Sequence, residues 1–124
     1  MGADGALTIL DQQTLMRWTP SGGLKTLKTD ARFGLGQPFF GSSIAVDGQG
    51  RVYFANVETD TVSQYAPTSD LFKIIAGPGG LFANGATVDD SLDDPGFPTL
   101  DAEGNLYISD TGHGQVKVIK AGTY

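Results

Sequence analysis

Apolar residues in this chain come in short runs rich in Val, Ile, Leu, Tyr and Phe, divided by clusters of Asp, Gly, Asn, Ser and Pro. No stretch of about a dozen residues keeps the 3.6-residue period of an amphipathic helix. The pattern predicts short antiparallel strands joined by tight turns, with little or no helix.

The runs repeat. Residues 44–57 read I-A-V-D-G-Q-G-R-V-Y-F-A-N-V, residues 98–111 read P-T-L-D-A-E-G-N-L-Y-I-S-D-T, and residues 4–11, D-G-A-L-T-I-L-D, match the second half of that phrase. Leu7, Val52 and Leu106 are equivalent, and the same spacings relate Asp11 to Asn56 and Asp110, and Gly5 to Gly50 and Gly104. A second apolar run follows each phrase, at Leu15–Trp18, Val62–Tyr65 and Val116–Ile119. With four strand positions, a to d, the runs predict a at 43–47 and 97–101, and b at 6–10, 51–55 and 105–109. Position c is expected at 14–19, 61–66 and 115–120, and d at 24–28 and 71–76. Four short strands in a repeat of roughly 40–50 residues predict the blade of a β-propeller. The expected fold is all-β, a single partial propeller domain over 1–124 with blade-like units at about 4–30, 38–77 and 95–124.

Asp101-Ala-Glu-Gly-Asn-Leu-Tyr-Ile-Ser-Asp-Thr-Gly-His-Gly-Gln-Val-Lys-Val-Ile119 resembles an NHL repeat, and Pro38 to Tyr65 is a second, similar stretch. The resemblance departs from the family's pattern at His113, near its usual Asn, and at Gln115, where it has Arg. It implies a propeller of about six blades. The three units here, the first lacking strand a and the last strand d, then lead us to expect two copies pairing as a homodimer that closes one ring, the alternatives being a piece of a longer propeller protein and a free-standing open half-ring. Bare outer faces are expected at Leu7, Ile9, Leu15 and Trp18 on one end of the stack and at Leu106, Ile108 and Val118 on the other. Blades apolar on both faces favour association through whichever face is left uncovered.

Composition narrows the partners. The formal charge is −6, from 8 basic and 14 acidic residues, which argues against a nucleic-acid backbone as ligand. No apolar run approaches the length of a membrane-spanning helix. Met1-Gly-Ala-Asp does not read as a signal peptide, and cysteine is absent, which leaves the compartment open.

Strand alternation puts the b–c turns and d–a connections at one end of every blade. Nine of the fourteen acids belong there: Asp11, Asp30, Glu58, Asp60, Asp89, Asp90, Asp93, Asp94 and Asp110. Within the run 89–94, the carboxylates of Asp89, Asp90, Asp93 and Asp94 are the sharpest local signal. They read either as oxygen ligands for Ca²⁺ or as a solvated acidic loop, and their spacing is not that of an EF-hand. His113, the sole histidine, reads as a turn residue or as a general base beside Asp110, with no paired nucleophile evident. Asp11, Asn56 and Asp110 are expected to hold the b–c turns, and Asp47 and Asp101 the a–b turns, by accepting backbone N–H groups. Phe39, Phe40 and Phe97 either wedge between blades or line a pocket for a small molecule or peptide at the ring mouth.

Three readings follow, one of them a repeat module with no function of its own; the other two are functions. One is a non-catalytic scaffold that binds protein or peptide through the acidic end, without a cofactor. The alternative comes from the resemblance, which extends to metal-dependent lactonases and lyases with a metal on the ring axis. The inner-strand residues Ser42–Val46 and Phe97–Leu100 offer no such ligand set.

Overall fold

The computed structural model describes residues 5–11, 13–30, 33, 44–56, 60–77, 92 and 95–122. They form ten strands: β1 (Leu7–Asp11), β2 (Thr14–Thr19), β3 (Gly23–Thr29), β4 (Ile44–Val46), β5 (Val52–Asn56), β6 (Thr61–Ala66), β7 (Leu71–Ala76), β8 (Pro95–Leu100), β9 (Leu106–Asp110) and β10 (Gln115–Ile119). A 3₁₀ turn over Thr111–His113 joins the last two. Every strand coincides with a run of the apolar pattern, apart from small differences at the ends.

The strands make three antiparallel sheets in which sequence neighbours are hydrogen-bonded neighbours: β1-β2-β3, β4-β5-β6-β7 and β8-β9-β10. Each sheet is a meander, because the connections between its strands are too short for anything else.

The second sheet lies between the other two, and its composition explains why. Val52, Tyr53 and Phe54 of β5 are consecutive and all buried, which requires cover on both faces of the sheet. Side chains alternate along a strand, so Val52 and Phe54, with Tyr65 of β6, face the first sheet and meet Leu15, Leu10 and Leu27. Tyr53, Val62 and Ile75 face the third sheet and meet Leu106, Ile108 and Ile119. Strand β8 packs beside β4 and β5.

A bulge recurs at the c–d pairing. The register slips between Leu15 and Met16 in the first sheet and between Val62 and Ser63 in the second. The slip adds one residue to the d strand, Leu27 or Ile75, and each of these joins the core cluster on the far side of its sheet.

Three expectations are corrected. Leu15, Leu106 and Ile108 are fully buried against the second sheet, not on the outer faces. The bare face of the first sheet carries Leu7, Ile9 and Trp18, each 38% exposed, as the pairings Leu7↔Trp18 and Ile9↔Met16 require. The bare face of the third carries Tyr107, Val116 and Val118. Phe97 is 60% exposed, at φ 48°, where β8 loses register between Gly96 and Thr99, so it wedges into no core. Phe39 and Phe40 lie outside the described residues. The aromatic that does fill a sheet-to-sheet gap is Phe33, whose ring lies 5.0 Å from Phe54, 5.5 Å from Tyr65 and 5.3 Å from Phe72.

Candidate functional site

The b–c turns and d–a connections do share an end. The Asp30 N–H donates to the Gln13 carbonyl at 2.9 Å, Gly77 packs on Asp60, and Pro95 pairs with Asp110. Asp11, Asp30, Asp60 and Asp110 are the acids of that end among the described residues. Asp89, Asp90, Asp93 and Asp94 lie outside them.

Asp110 closes β9 and is fully buried. Its side chain does not cap the 3₁₀ turn that follows. Instead Oδ2 receives the His113 Nδ1 at 2.6 Å and the Lys117 Nζ at 2.9 Å. Lys117 faces inward because it shares a sheet face with Ile108, its partner across the β9–β10 ladder. A carboxylate in such a place needs a paired cation, and Lys117 supplies it. Proximity in the sequence links Asp110 to His113. Nothing there points to Lys117, which lies on a strand whose other inward residue, Ile119, is apolar. The Asp110–His113 pair orients the imidazole as a base would need. With Lys117 on the same oxygen, the arrangement is a buried ion pair with a half-exposed histidine at its rim.

The opposite end holds a groove of about 550 Å³ on the second sheet, between the turns at 47–51 and 67–70. Arg51, Gln64, Thr68, Ser69, Phe72 and Lys73 are among its lining residues, and no Asp or Glu lines it among the described residues. Its back wall is fixed by a chain of hydrogen bonds. Gln64 Nε2 donates to the Tyr53 hydroxyl at 2.9 Å, which donates to Asp47 Oδ2 at 2.9 Å, and Arg51 Nε donates to the same oxygen at 2.6 Å. Burial pushes the Asp47 carboxyl up, but its bonds from Arg51, Tyr53 and Gln49 outweigh that and hold it below the usual carboxylate value. Asp70 at the groove's edge is committed elsewhere, accepting the Tyr65 hydroxyl at 2.8 Å and pairing with Lys28 Nζ of the first sheet at 3.1 Å. Nothing in the sequence announces this groove, because its walls come from two turns, one before β5 and one after β6, brought together by the β5–β6 pairing.

Among the described residues no three His, Cys, Asp or Glu side chains converge on one point, and no helix is long and apolar enough to cross a membrane.

No protein-family model matches the chain, and no curated protein matches it. Solved structures do. A chain of the crystal structure of a nidogen/laminin complex superposes with a TM-score of 0.59 at 20% identity, over 94% of this chain and 40% of that one. Selenomethionine-substituted virginiamycin B lyase from Staphylococcus aureus superposes with a TM-score of 0.51 at 16% identity, over 98% of this chain and 39% of that one. The chain therefore spans about two-fifths of the length of these structures. Both are β-propellers, and at such low identity the likeness shows architecture alone. The three stacked meanders of this chain are blades of a β-propeller.

Proposed function

We propose that this chain is a non-catalytic, NHL-like propeller scaffold that binds a protein or peptide through its acidic end, and that two copies assemble into a six-bladed ring. The observation that carries the scaffold reading is the state of the sole histidine. His113 is held at the half-exposed rim of an ion pair between the buried Asp110 carboxylate and Lys117, which gives the best acid–base candidate a structural task. The acids gathered at that end suit a basic peptide, which a rigid propeller can hold on its loops. The likeness to a chain from a complex between two proteins supports binding of this kind. Pairing of two copies is supported by the bare apolar faces at both ends of the stack.

Fluorescence anisotropy of a labelled lysine-rich peptide tests the reading. Binding that weakens with salt, and that is lost when Asp89, Asp90, Asp93 and Asp94 are all changed to Asn, is the expected result. No binding, or binding indifferent to those changes, overturns it. The likeness to a lyase favours one second reading, a metal-dependent enzyme with its site on the ring axis. Ca²⁺ or Zn²⁺ retained in stoichiometric amount after exhaustive dialysis would turn the assignment that way.

A further inference from the structure

The groove at the end opposite the acids holds a polar group that the fold does not use. Tyr53, Gln64 and Lys73 stand in one row across the second sheet, through the pairings Tyr53↔Gln64 and Gln64↔Lys73, and so share a face. Gln64 is only 8% exposed. Its neighbours set its orientation. The Asp47 carboxylate can only accept, so it takes the Tyr53 proton, and the Tyr53 oxygen must then accept from Gln64 Nε2. The amide nitrogen is thereby turned toward Tyr53 and Oε1 away from it. Among the described residues Oε1 accepts no hydrogen bond. No fully enclosed side-chain oxygen among them lacks a partner, so Oε1 keeps an opening, and Gln64 lines the groove.

The repeated phrase does not demand this glutamine. In the third sheet Tyr107 makes the same hydroxyl bond to Asp101, and the residue across the ladder from it is Val118. The turn clamp therefore works with an apolar residue at that position, whereas a polar side chain so nearly buried is costly unless its bonds are made. Other groups of the groove are also uncommitted. Among the described residues the Lys73 ammonium makes no ion pair, and neither the Thr68 nor the Ser69 hydroxyl makes a hydrogen bond. Ala66 and Leu71, paired across the β6–β7 hairpin, add an apolar patch to the face that carries Gln64 and Lys73.

We propose that the groove binds an acylated amino acid, a carboxylate with an amide N–H on the adjacent carbon, with the carboxylate on Lys73 and the N–H donated to Gln64 Oε1. One uncommitted ammonium suits a singly charged carboxylate better than a doubly charged phosphate. The acyl carbonyl of such a ligand can accept from Thr68 or Ser69, and its side chain can lie on Ala66 and Leu71, so each uncommitted group meets its complement. The volume, about 550 Å³, lies in the range of small-molecule sites. The same chemistry is found at the C-terminus of a peptide and in a free N-acyl amino acid. The site lies at the other end of the blade from the acids and owes nothing to them.

Three probes with one side chain separate the contacts. N-acetyl-leucine has both the charge and the N–H, isocaproate has the charge alone, and N-acetyl-leucinamide has the N–H without the charge. Backbone amide shifts of the isotope-labelled protein give the affinities. N-acetyl-leucine is expected to saturate shifts at Gln64, Ser69 and Lys73, and each of the other two to bind roughly tenfold more weakly. Lys73→Met, a change at an exposed residue, should weaken N-acetyl-leucine by roughly the same factor and bring it level with N-acetyl-leucinamide. Gln64→Met should bring it level with isocaproate, with far-UV circular dichroism to confirm the β signal of both variants. Should Gln64→Met unfold, the probes on the unaltered chain and on Lys73→Met decide the matter. Equal affinity for all three probes, shifts that do not saturate, or a Lys73→Met variant that binds N-acetyl-leucine as the unaltered chain does would overturn the site. A peptide ending in a free leucine carboxylate separates the two sources. Tighter binding than N-acetyl-leucine assigns the groove to a peptide terminus, and equal or weaker binding assigns it to a free acylated amino acid.

Discussion

Asp47 and Asp101 make the same set of hydrogen bonds in successive sheets. Asp47 Oδ1 accepts the backbone N–H groups of Gln49 at 2.9 Å and Arg51 at 3.0 Å, and its Oδ2 accepts the Arg51 side chain and the Tyr53 hydroxyl. Asp101 Oδ1 accepts the N–H groups of Glu103 and Asn105, and its Oδ2 accepts Asn105 Nδ2 at 2.9 Å and the Tyr107 hydroxyl at 3.1 Å. Each carboxylate closes its turn with one oxygen and ties the turn to the next strand with the other. Gly50 and Gly104 serve this geometry at φ 80° and 87°, in the left-handed region where a side chain is costly. The aspartate of the repeated phrase is therefore a turn clamp, and its recurrence has a structural cause.

Asparagine tests the clamp. In Asp47→Asn the remaining oxygen can keep the backbone bonds, but an NH₂ then faces two donors, Arg51 Nε and the Tyr53 hydroxyl. The expected loss is about 2 kcal/mol, moderated by partial exposure of the site. Asp101→Asn should lose less, because its turn is more open to solvent. Urea unfolding midpoints at constant slope measure both.

Acid should act through the same two groups. At Asp47 burial acts upward, yet the bonds from Arg51, Tyr53 and Gln49 leave the carboxyl below its usual value; at Asp101 the Asn105 side chain leads the causes that lower it. A folded-state value lowered in this way adds stability that is complete above the unfolded carboxylate value, about 3.9, and is lost as pH falls through the folded one. These groups should therefore leave the melting temperature unchanged between about pH 5 and 7 and lower it below about pH 4. The double variant Asp47→Asn, Asp101→Asn should show a shallower acid limb. An acid limb as steep as that of the unaltered chain would assign the loss to other carboxylates.

Gly77 and Gly114 separate two reasons for glycine. Both have positive φ, 88° and 65°. A Cβ on Gly114 meets nothing within 4 Å, whereas a Cβ on Gly77 would sit on the Asp60 carbonyl oxygen and 3.0 Å from the Thr61 Cα. Gly114→Ala should cost about 1 kcal/mol, the backbone penalty alone. Gly77→Ala adds a collision with rigid backbone where β7 ends against the b–c turn, and should cost at least twice as much. Thermal melts of the two variants side by side give the comparison.

The strands are legible in the sequence because short apolar runs and turn residues mark them locally, and the repeat sets their order. The direction that each side chain faces is less so. Leu15 and Trp18 are both large, apolar residues of one strand, and only the pairings Leu10↔Leu15 and Leu7↔Trp18 decide which lies inside. The inward turn of Leu27 and Ile75 depends on a one-residue bulge that leaves no mark in composition. At the acidic end, Asp110 and His113 are visible as neighbours, but Lys117 reaches them across a ladder.

Lys117→Met tests that ionic tie. Asp110 is fully buried, and the Lys117 ammonium is the cation beside it in the contact with the second sheet. Removing the lysine takes the ammonium from a buried carboxylate that keeps its bond to His113, at a cost of up to about 3 kcal/mol. The variant Lys117→Met with Asp110→Asn removes both charges and should recover much of that loss. A double-mutant cycle on unfolding free energies reads the coupling, and additive losses would show that the two groups do not act as a pair.

Phe33 is the strongest case of a residue whose role is set by packing and not by pattern. It belongs to no repeated phrase and to no strand, yet it is buried against Leu15, Val52 and Phe54 at the contact between the first two sheets. Its ring meets Tyr65 edge-on at 84° and lies tilted against Phe54 and Phe72, arrangements that aromatic quadrupoles favour. Phe33→Ala empties the centre of that cluster and should cost about 3–5 kcal/mol, as a core cavity does when its walls are fixed by sheets on two sides. Phe33→Leu keeps much of the volume and should lose less than half as much. The near-UV circular dichroism of the aromatic residues should weaken in the alanine variant before the far-UV β signal changes, because the cluster joins two sheets that each keep their own ladder.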